Sequence, residues 1–209
     1  MGRVLGPVCR MCRREGIKLM LKGVRCETAK CAMEKEYKQN PPGMHMWRRG
    51  KSSEYGVRLR EKQKVKRYYG LLEAQFQRYF GLATKSTENT GVSLLRLLER
   101  RLDNAIYKAG MTQSRKTARQ AIVHGHVLVN GRKVNRPGYL VSAGDRITIH
   151  GREKSRGFIK LQMGEDARQA QGWLQVDPAK LEAIVITLPT RDDVQIPVEE
   201  QLIVEFCSR

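Results

Sequence analysis

The chain is 209 residues long, room for one large domain or two small ones, and carries 40 Lys and Arg against 21 Asp and Glu for a net charge of +19. That excess implies a polyanionic partner, either nucleic acid or an anionic membrane surface. The longest apolar runs, such as Ile184–Leu188, fall far short of a spanning helix, so a transmembrane helical protein is excluded. The charge is unevenly placed. Residues 1–70 sum to +13, residues 71–172 to +10, and residues 173–209 to −4. A polyanion should therefore touch the first two blocks, and the acidic tail should face protein.

Four of the five cysteines stand in CRMCRREGIKLMLKGVRCETAKC, spaced C-x2-C-x13-C-x4-C from Cys9 through Cys12 and Cys26 to Cys31. No apolar h-region precedes the first charges, which predicts a chain without a secretory signal that stays in the cytosol. Thiols there are not expected to form structural disulfides, and a redox pair would leave the second pair unexplained. Two close pairs separated by a zinc-finger-like gap predict a tetrahedral structural metal site. Zinc (Zn2+) is the expected occupant, one per chain, with an iron–sulfur cluster as the less favoured alternative. Arg10, Arg13, Arg14 and Arg25 favour the thiolate form. Such a cage would fold a segment too small and too charged to hold a core.

Beyond Asn40-Pro41-Pro42-Gly43, MHMWRRGKSSEYG predicts a basic loop in which Arg48, Arg49 and Lys51 are either solvated or face phosphate. Ser52 or Ser53 can cap the next helix. Val65, Tyr69, Leu72, Phe76 and Phe80 then form one helical apolar stripe, with Lys62, Lys64, Lys66 and Arg67 around its polar side. After a polar connection at 81–92, Leu94, Leu98, Leu102, Ala105, Ile106 and Ala109 predict a second amphipathic helix ending at Gly110. Ser114 caps a short helix closed by Gly125. Strands are expected at 126–129, 132–134, 139–141 and 146–149, the first two joined by Asn130-Gly131, a strong hairpin signal.

That helix–turn–helix–hairpin unit carries a candidate site. Ser114 opens a helix whose N-terminal end can hold phosphate, with Arg115, Lys116 and Arg119 in its first turns and Arg132 and Lys133 on the hairpin. Residues 150–172 are basic, then polar. Strands are expected at 173–176 and 182–188, and EEQLIVEFC fits either a helix or a strand by period.

These segments in order, PPGMHMWRRGKSSEYG, LREKQKVKRYYGLLEAQFQRYF, LLRLLERRLDNAIYKAG, S-R-x-x-A-R-Q at 114–120, VNGRKVN and EEQLIVEFCSR, resemble the family of ribosomal protein S4 of the small subunit, in its zinc-binding four-cysteine form. The resemblance implies an α+β chain with three parts. They are a zinc knob at 1–45, a helical domain at 46–91 completed by a last helix at 199–209, and an α/β domain at 92–198 with its RNA-binding module at about 99–160. It implies a structural, non-enzymatic constituent of the cytoplasmic ribosome. That constituent nucleates the 5′ domain of the small-subunit ribosomal RNA, touches neighbouring proteins numbered five and three, and lines the messenger RNA entry region. Two rivals are weighed. Arg101-Leu102-Asp103 spells the R-L-D motif of pseudouridine synthases, but Asp103 sits inside a predicted helix and too little chain follows for a catalytic domain. A zinc-dependent DNA-binding regulator would concentrate its charge on one recognition helix, whereas this charge is spread over two domains.

Overall fold

The computed structural model describes residues 4–45, 50–51, 53–163 and 169–208. The expected positions Arg48 and Arg49 lie outside them, and Lys51 is exposed. Two compact units emerge, one of residues 1–94 with 195–209, the other of residues 95–194.

The first unit opens with α1 (Val8–Glu15), which ends where Gly16 takes a left-handed φ of 71°. Two 3-10 turns follow at Gly23–Cys26 and Glu36–Lys38. Helix α2 (Glu54–Tyr68) is capped by Ser53, whose side chain accepts from the backbone N–H of Gly56. The single stripe expected from 65 to 80 is in fact two helices, α2 and α3 (Glu73–Ala83). Gly70, at φ 64°, breaks the helix and shifts the phase: Leu71 is buried, while Leu72 is 38% exposed. Val65, Tyr69, Phe76 and Phe80 are buried as the stripe requires.

The acidic tail ends in helix α8 (Glu200–Cys207), which settles the helix-or-strand ambiguity. It packs on α2. Glu205 accepts from Arg58 Nε at 2.8 Å, Phe206 stacks against Tyr55 at 5.3 Å between centroids, and Ile203 is fully buried. At the other end of α8, an added Cβ on Gly91 would fall 2.8 Å from Glu200 Cβ, so only glycine lets the chain at Gly91 approach there.

The cations of α2 are tied to acids of the same unit. Lys62 and Lys66 bond Glu73 at 2.6 and 2.8 Å, Lys64 bonds Glu61, and Arg67 bonds Glu15, which also meets Arg60 at 3.3 Å. Burial disfavours the Glu73 carboxylate, but hydrogen bonds from Lys62, Lys66 and Gln77 outweigh it and hold its pKa down to about 2. A carboxylate depressed in the folded state stabilises the fold above its ordinary value of 4.5, and that stabilisation is lost as pH falls towards 2. Glu73→Gln should therefore melt below the wild-type chain at neutral pH. The difference in Tm should shrink between those two pH values, and a difference that stayed constant would refute the assignment.

The second unit begins within α4 (Thr90–Glu99) and continues with α5 (Leu102–Lys108) and α6 (Arg115–Val123). The continuous helix expected from Leu94 to Ala109 breaks at Arg100–Arg101. The strand expected at 139–141 forms no extended ladder and instead meets that break: Leu102 N–H donates to Tyr139 O at 2.8 Å, and Val141 N–H to Arg100 O at 2.9 Å. The two misreadings have one cause, since this pairing pulls Arg101 out of helical geometry, to ψ 136°.

Strands β1 (Val127–Val129), β2 (Arg132–Lys133), β3 (Arg146–Ile149), β4 (Leu174–Asp177) and β5 (Glu182–Val185) form an antiparallel sheet in the order β2-β1-β3-β5-β4. Asn130 and Gly131, at φ 50° and 76°, make the β1–β2 turn that Asn-Gly favours. Helix α7 (Glu153–Met163) lies in the basic-then-polar segment to which the sequence analysis assigned no element. Ala105, Ala109, Ala118 and Ala121 let α5 and α6 approach closely, over a core of Ile106, Ile122, Val127 and Ile147. Fully burying each Ile or Val is worth about 1.5–3 kcal/mol.

Candidate nucleic-acid interface

The module built by α5, α6 and the β1–β2 hairpin is organised around buried polar groups. Asp103, 1% exposed, receives Arg101 Nε at 3.0 Å and Nη2 at 2.7 Å, and from α6 it receives Arg119 Nη2 at 2.7 Å and Nε at 3.2 Å. Asn104 donates to the backbone oxygen of Glu99 at 2.9 Å and to its side chain. Its own oxygen accepts from Arg115 Nε at 2.7 Å. The Arg115 guanidinium also lies 4.4 Å from the Tyr107 ring. These contacts fix α6 against α5. A carboxylate gripped by two guanidiniums and shut from solvent has no route to a substrate, which answers the R-L-D reading.

The network corrects the expected phosphate cradle. Arg115, 7% exposed, is spent on Asn104 and Tyr107, and Arg119 on Asp103. Lys116, in the first turn of α6, is exposed. Ser114 caps α6 as expected, its Oγ accepting from Thr117 N–H at 3.2 Å. Lys62 is likewise corrected: at 6% exposure beside Glu73 it is part of the packing, and Lys64, Lys66 and Arg67 are half-buried in ion pairs. The reason is the same in both units. Except for Lys64, whose partner Glu61 is one turn away on α2, groups from other elements reach these cations: Glu73 for Lys62 and Lys66, Glu15 for Arg67, Asn104 for Arg115 and Asp103 for Arg119.

The outward charge of the second unit lies on the hairpin and on α7. Arg132 and Lys133 are exposed as expected, and Arg136, Arg152, Lys154, Arg156 and Lys160 join them. Sequence reasoning passed over the last four because it assigned no element to residues 150–172. Their signal was present in Phe158 and Ile159 one turn beyond Ser155, a short inward face. Among the described residues Arg132, Arg136, Arg152, Lys154, Arg156 and Lys160 make no ion pair. Beside this surface His126 Nδ1 lies 2.9 Å from Ser155 Oγ. Burial pulls the His126 imidazole below its ordinary pKa, and His124 and His150 act in the same direction.

In the first unit Cys9 and Cys12 stand one turn apart on α1, on one face. Cys12, Cys26 and Cys31 are buried, Cys9 is half-buried, and none is in a disulfide. Burial pushes the Cys12 thiol up, and the charges of Cys26, Cys9 and Cys31 push the same way. The backbone N–H of Lys22 points at Cys26 Sγ at 3.3 Å. Donor type and neighbourhood fit a thiolate-bound metal. Among the described residues no group of three or more His, Cys, Asp or Glu stands ready to hold a metal ion.

Two helices joined to a basic hairpin and braced by a buried polar network form a compact module that displays its cations to one class of partner, a polyanion. Residues 100–147 match the family model described as the S4 domain, and residues 3–99 match that of the ribosomal protein S4/S9 N-terminal domain. Over the full length of both chains, the protein is 54% identical to small ribosomal subunit protein uS4 of Halothermothrix orenii. On the same full-length terms it is 50% and 51% identical to the uS4A proteins of Symbiobacterium thermophilum and Alkaliphilus metalliredigens. The chain belongs to the uS4 family of small ribosomal subunit proteins.

Proposed function

We propose that the protein is a structural constituent of the small ribosomal subunit, and so of the cytoplasmic ribosome, and that it binds the subunit's ribosomal RNA by phosphate and shape. The observation that carries this is the exposed basic surface of α6, the hairpin and α7, set on a scaffold in which Arg101 and Arg119 are paired with Asp103. Phosphate contacts of this kind position a folded RNA without reading its bases. The RNA-facing set is Lys116, Arg132, Lys133, Arg136, Arg152, Lys154, Arg156 and Lys160, with the loop of Arg48, Arg49 and Lys51 as a second contact. The RNA segment is the 5′ domain, where binding nucleates assembly, and the loop lies towards the messenger RNA entry region, where it supports accurate decoding.

The acidic tail faces protein, namely the neighbours numbered five and three. The knob at 1–45 holds one zinc through Cys9, Cys12, Cys26 and Cys31. The helical domain is 46–91 with 199–209, and the α/β domain is 92–198. The chain has no catalytic role, because Asp103, the one residue that suggested it, is consumed by Arg101 and Arg119. A DNA-binding regulator fits less well, since the exposed cations occupy two helices and a hairpin rather than one recognition helix.

The test compares affinity for folded 5′-domain RNA with affinity for duplex DNA of equal length, at equal salt. The RNA should bind at least tenfold tighter, and log K should fall steeply with log salt, by about one unit for each phosphate contacted. Equal affinity for the two would overturn the proposal.

A further inference from the structure

We infer that the outer face of His124 is a stacking platform for one unpaired nucleobase of the bound RNA, beside the ammonium of Lys133. The inference rests on the rRNA-binding reading above. Three rings, one on α7 and two in the connection between α6 and β1, stand in a row. Phe158 of α7 lies 5.4 Å from His126 at an interplanar angle of 26°, and His126 lies 6.1 Å from His124 at 9°. These spacings are those of stacked rings.

The ladder is held from its inner end. Ser155, 3% exposed and one turn before Phe158 on α7, is hydrogen-bonded to His126 Nδ1 and fixes that ring. Gly125, at φ 75°, bends the chain after α6 so that the rings two residues apart come onto one side. An added Cβ there would collide with the terminal methylene of Lys133 and sit 2.8 Å from its Nζ, so this ammonium lies directly over the Gly125 bend. The outermost ring, His124, is exposed beside the 48% exposed Val123.

An aromatic face pre-oriented by a packed neighbour loses little entropy when a base is laid on it. Base-on-ring stacking with a nearby cation for the phosphate is how proteins take up unpaired nucleotides, and every base offers a π-face. A base inside a duplex is not available to it. The ligand is therefore an extruded or single-stranded nucleotide next to the backbone that the neighbouring cations hold.

The experiment measures binding of the full-length chain and of His124→Ala and His124→Phe to transcribed 5′-domain RNA across a salt series, after circular dichroism confirms that each variant is folded. His124→Ala should weaken binding about 5- to 100-fold, the span of one lost base stack. Its log–log salt slope should stay unchanged, and His124→Phe should bind within about threefold of wild type, as stacking on any aromatic face predicts. Unchanged affinity in His124→Ala would overturn the platform. So would a loss that Phe does not rescue and that flattens the salt slope, because His124 would then be a phosphate contact. Wild-type chain that fails to bind this RNA would remove the functional reading itself, and the platform with it.

Discussion

Asp103→Ala should be the most damaging single substitution in the second unit. It removes the carboxylate that meets both Arg101, 1% exposed, and Arg119, and it leaves a buried guanidinium without that counter-charge. Breaking a buried pair from one side costs about 3–5 kcal/mol, because desolvation of the remaining charge is no longer offset. For a unit of roughly 100 residues that corresponds to a fall in Tm of more than about 10 °C. Asp103→Asn keeps the shape and one acceptor and should fall between the two. Arg119→Ala should cost less than Asp103→Ala, since Arg119 is only half-buried. Thermal melts of the full chain check the order, and an Asp103→Ala protein that melted with wild type would show that the network does not hold α5 to α6.

Loss of zinc should have a comparably large effect on the first 45 residues. Apart from cysteines, the only buried apolar side chains described there are Leu19 and Leu21, far too few to offset the conformational entropy of the segment. A structural zinc in a small site contributes about 10–16 kcal/mol of apparent binding free energy, which becomes folding free energy when the ligands are not organised without it. Elemental analysis of purified protein should therefore find one zinc per chain. Cys26→Ser should lose it and leave residues 4–45 open to proteolysis, while Cys207→Ser should keep it. Full metal content in a chain lacking all four of Cys9, Cys12, Cys26 and Cys31 would refute the cage, and iron in place of zinc would change the occupant.

The features legible in the sequence were those fixed by local chemistry. Ser114 as a cap, the left-handed glycines after α5 and α6, and the Asn130-Gly131 turn each need only a few adjacent residues. What escaped was set by partners distant along the chain. The break at Arg100–Arg101 is made by Tyr139–Val141, some forty residues on, and nothing within Leu94–Ala109 announces it. Lys62 and Arg115 looked like surface cations because Glu73 and Asn104 reach them only after folding. Helix α7 was hidden because its inward face begins with the polar Ser155, whose hydrogen bond to His126 is tertiary. Of the cations expected on α6 and the hairpin, Lys116, Arg132 and Lys133 are exposed, while Arg115 and Arg119 lie in the scaffold; Arg136, Arg152 and the α7 cations Lys154, Arg156 and Lys160 add to the exposed basic surface.

The central claim, that this chain is built into the small ribosomal subunit through its RNA, is tested most directly by sedimentation. Tagged protein expressed in a bacterial host should travel with small subunits on a gradient, remain with them through a high-salt wash that strips loosely bound factors, and be released only when the RNA is digested. A chain found at the top of the gradient, or washed from subunits at moderate salt, would contradict the account.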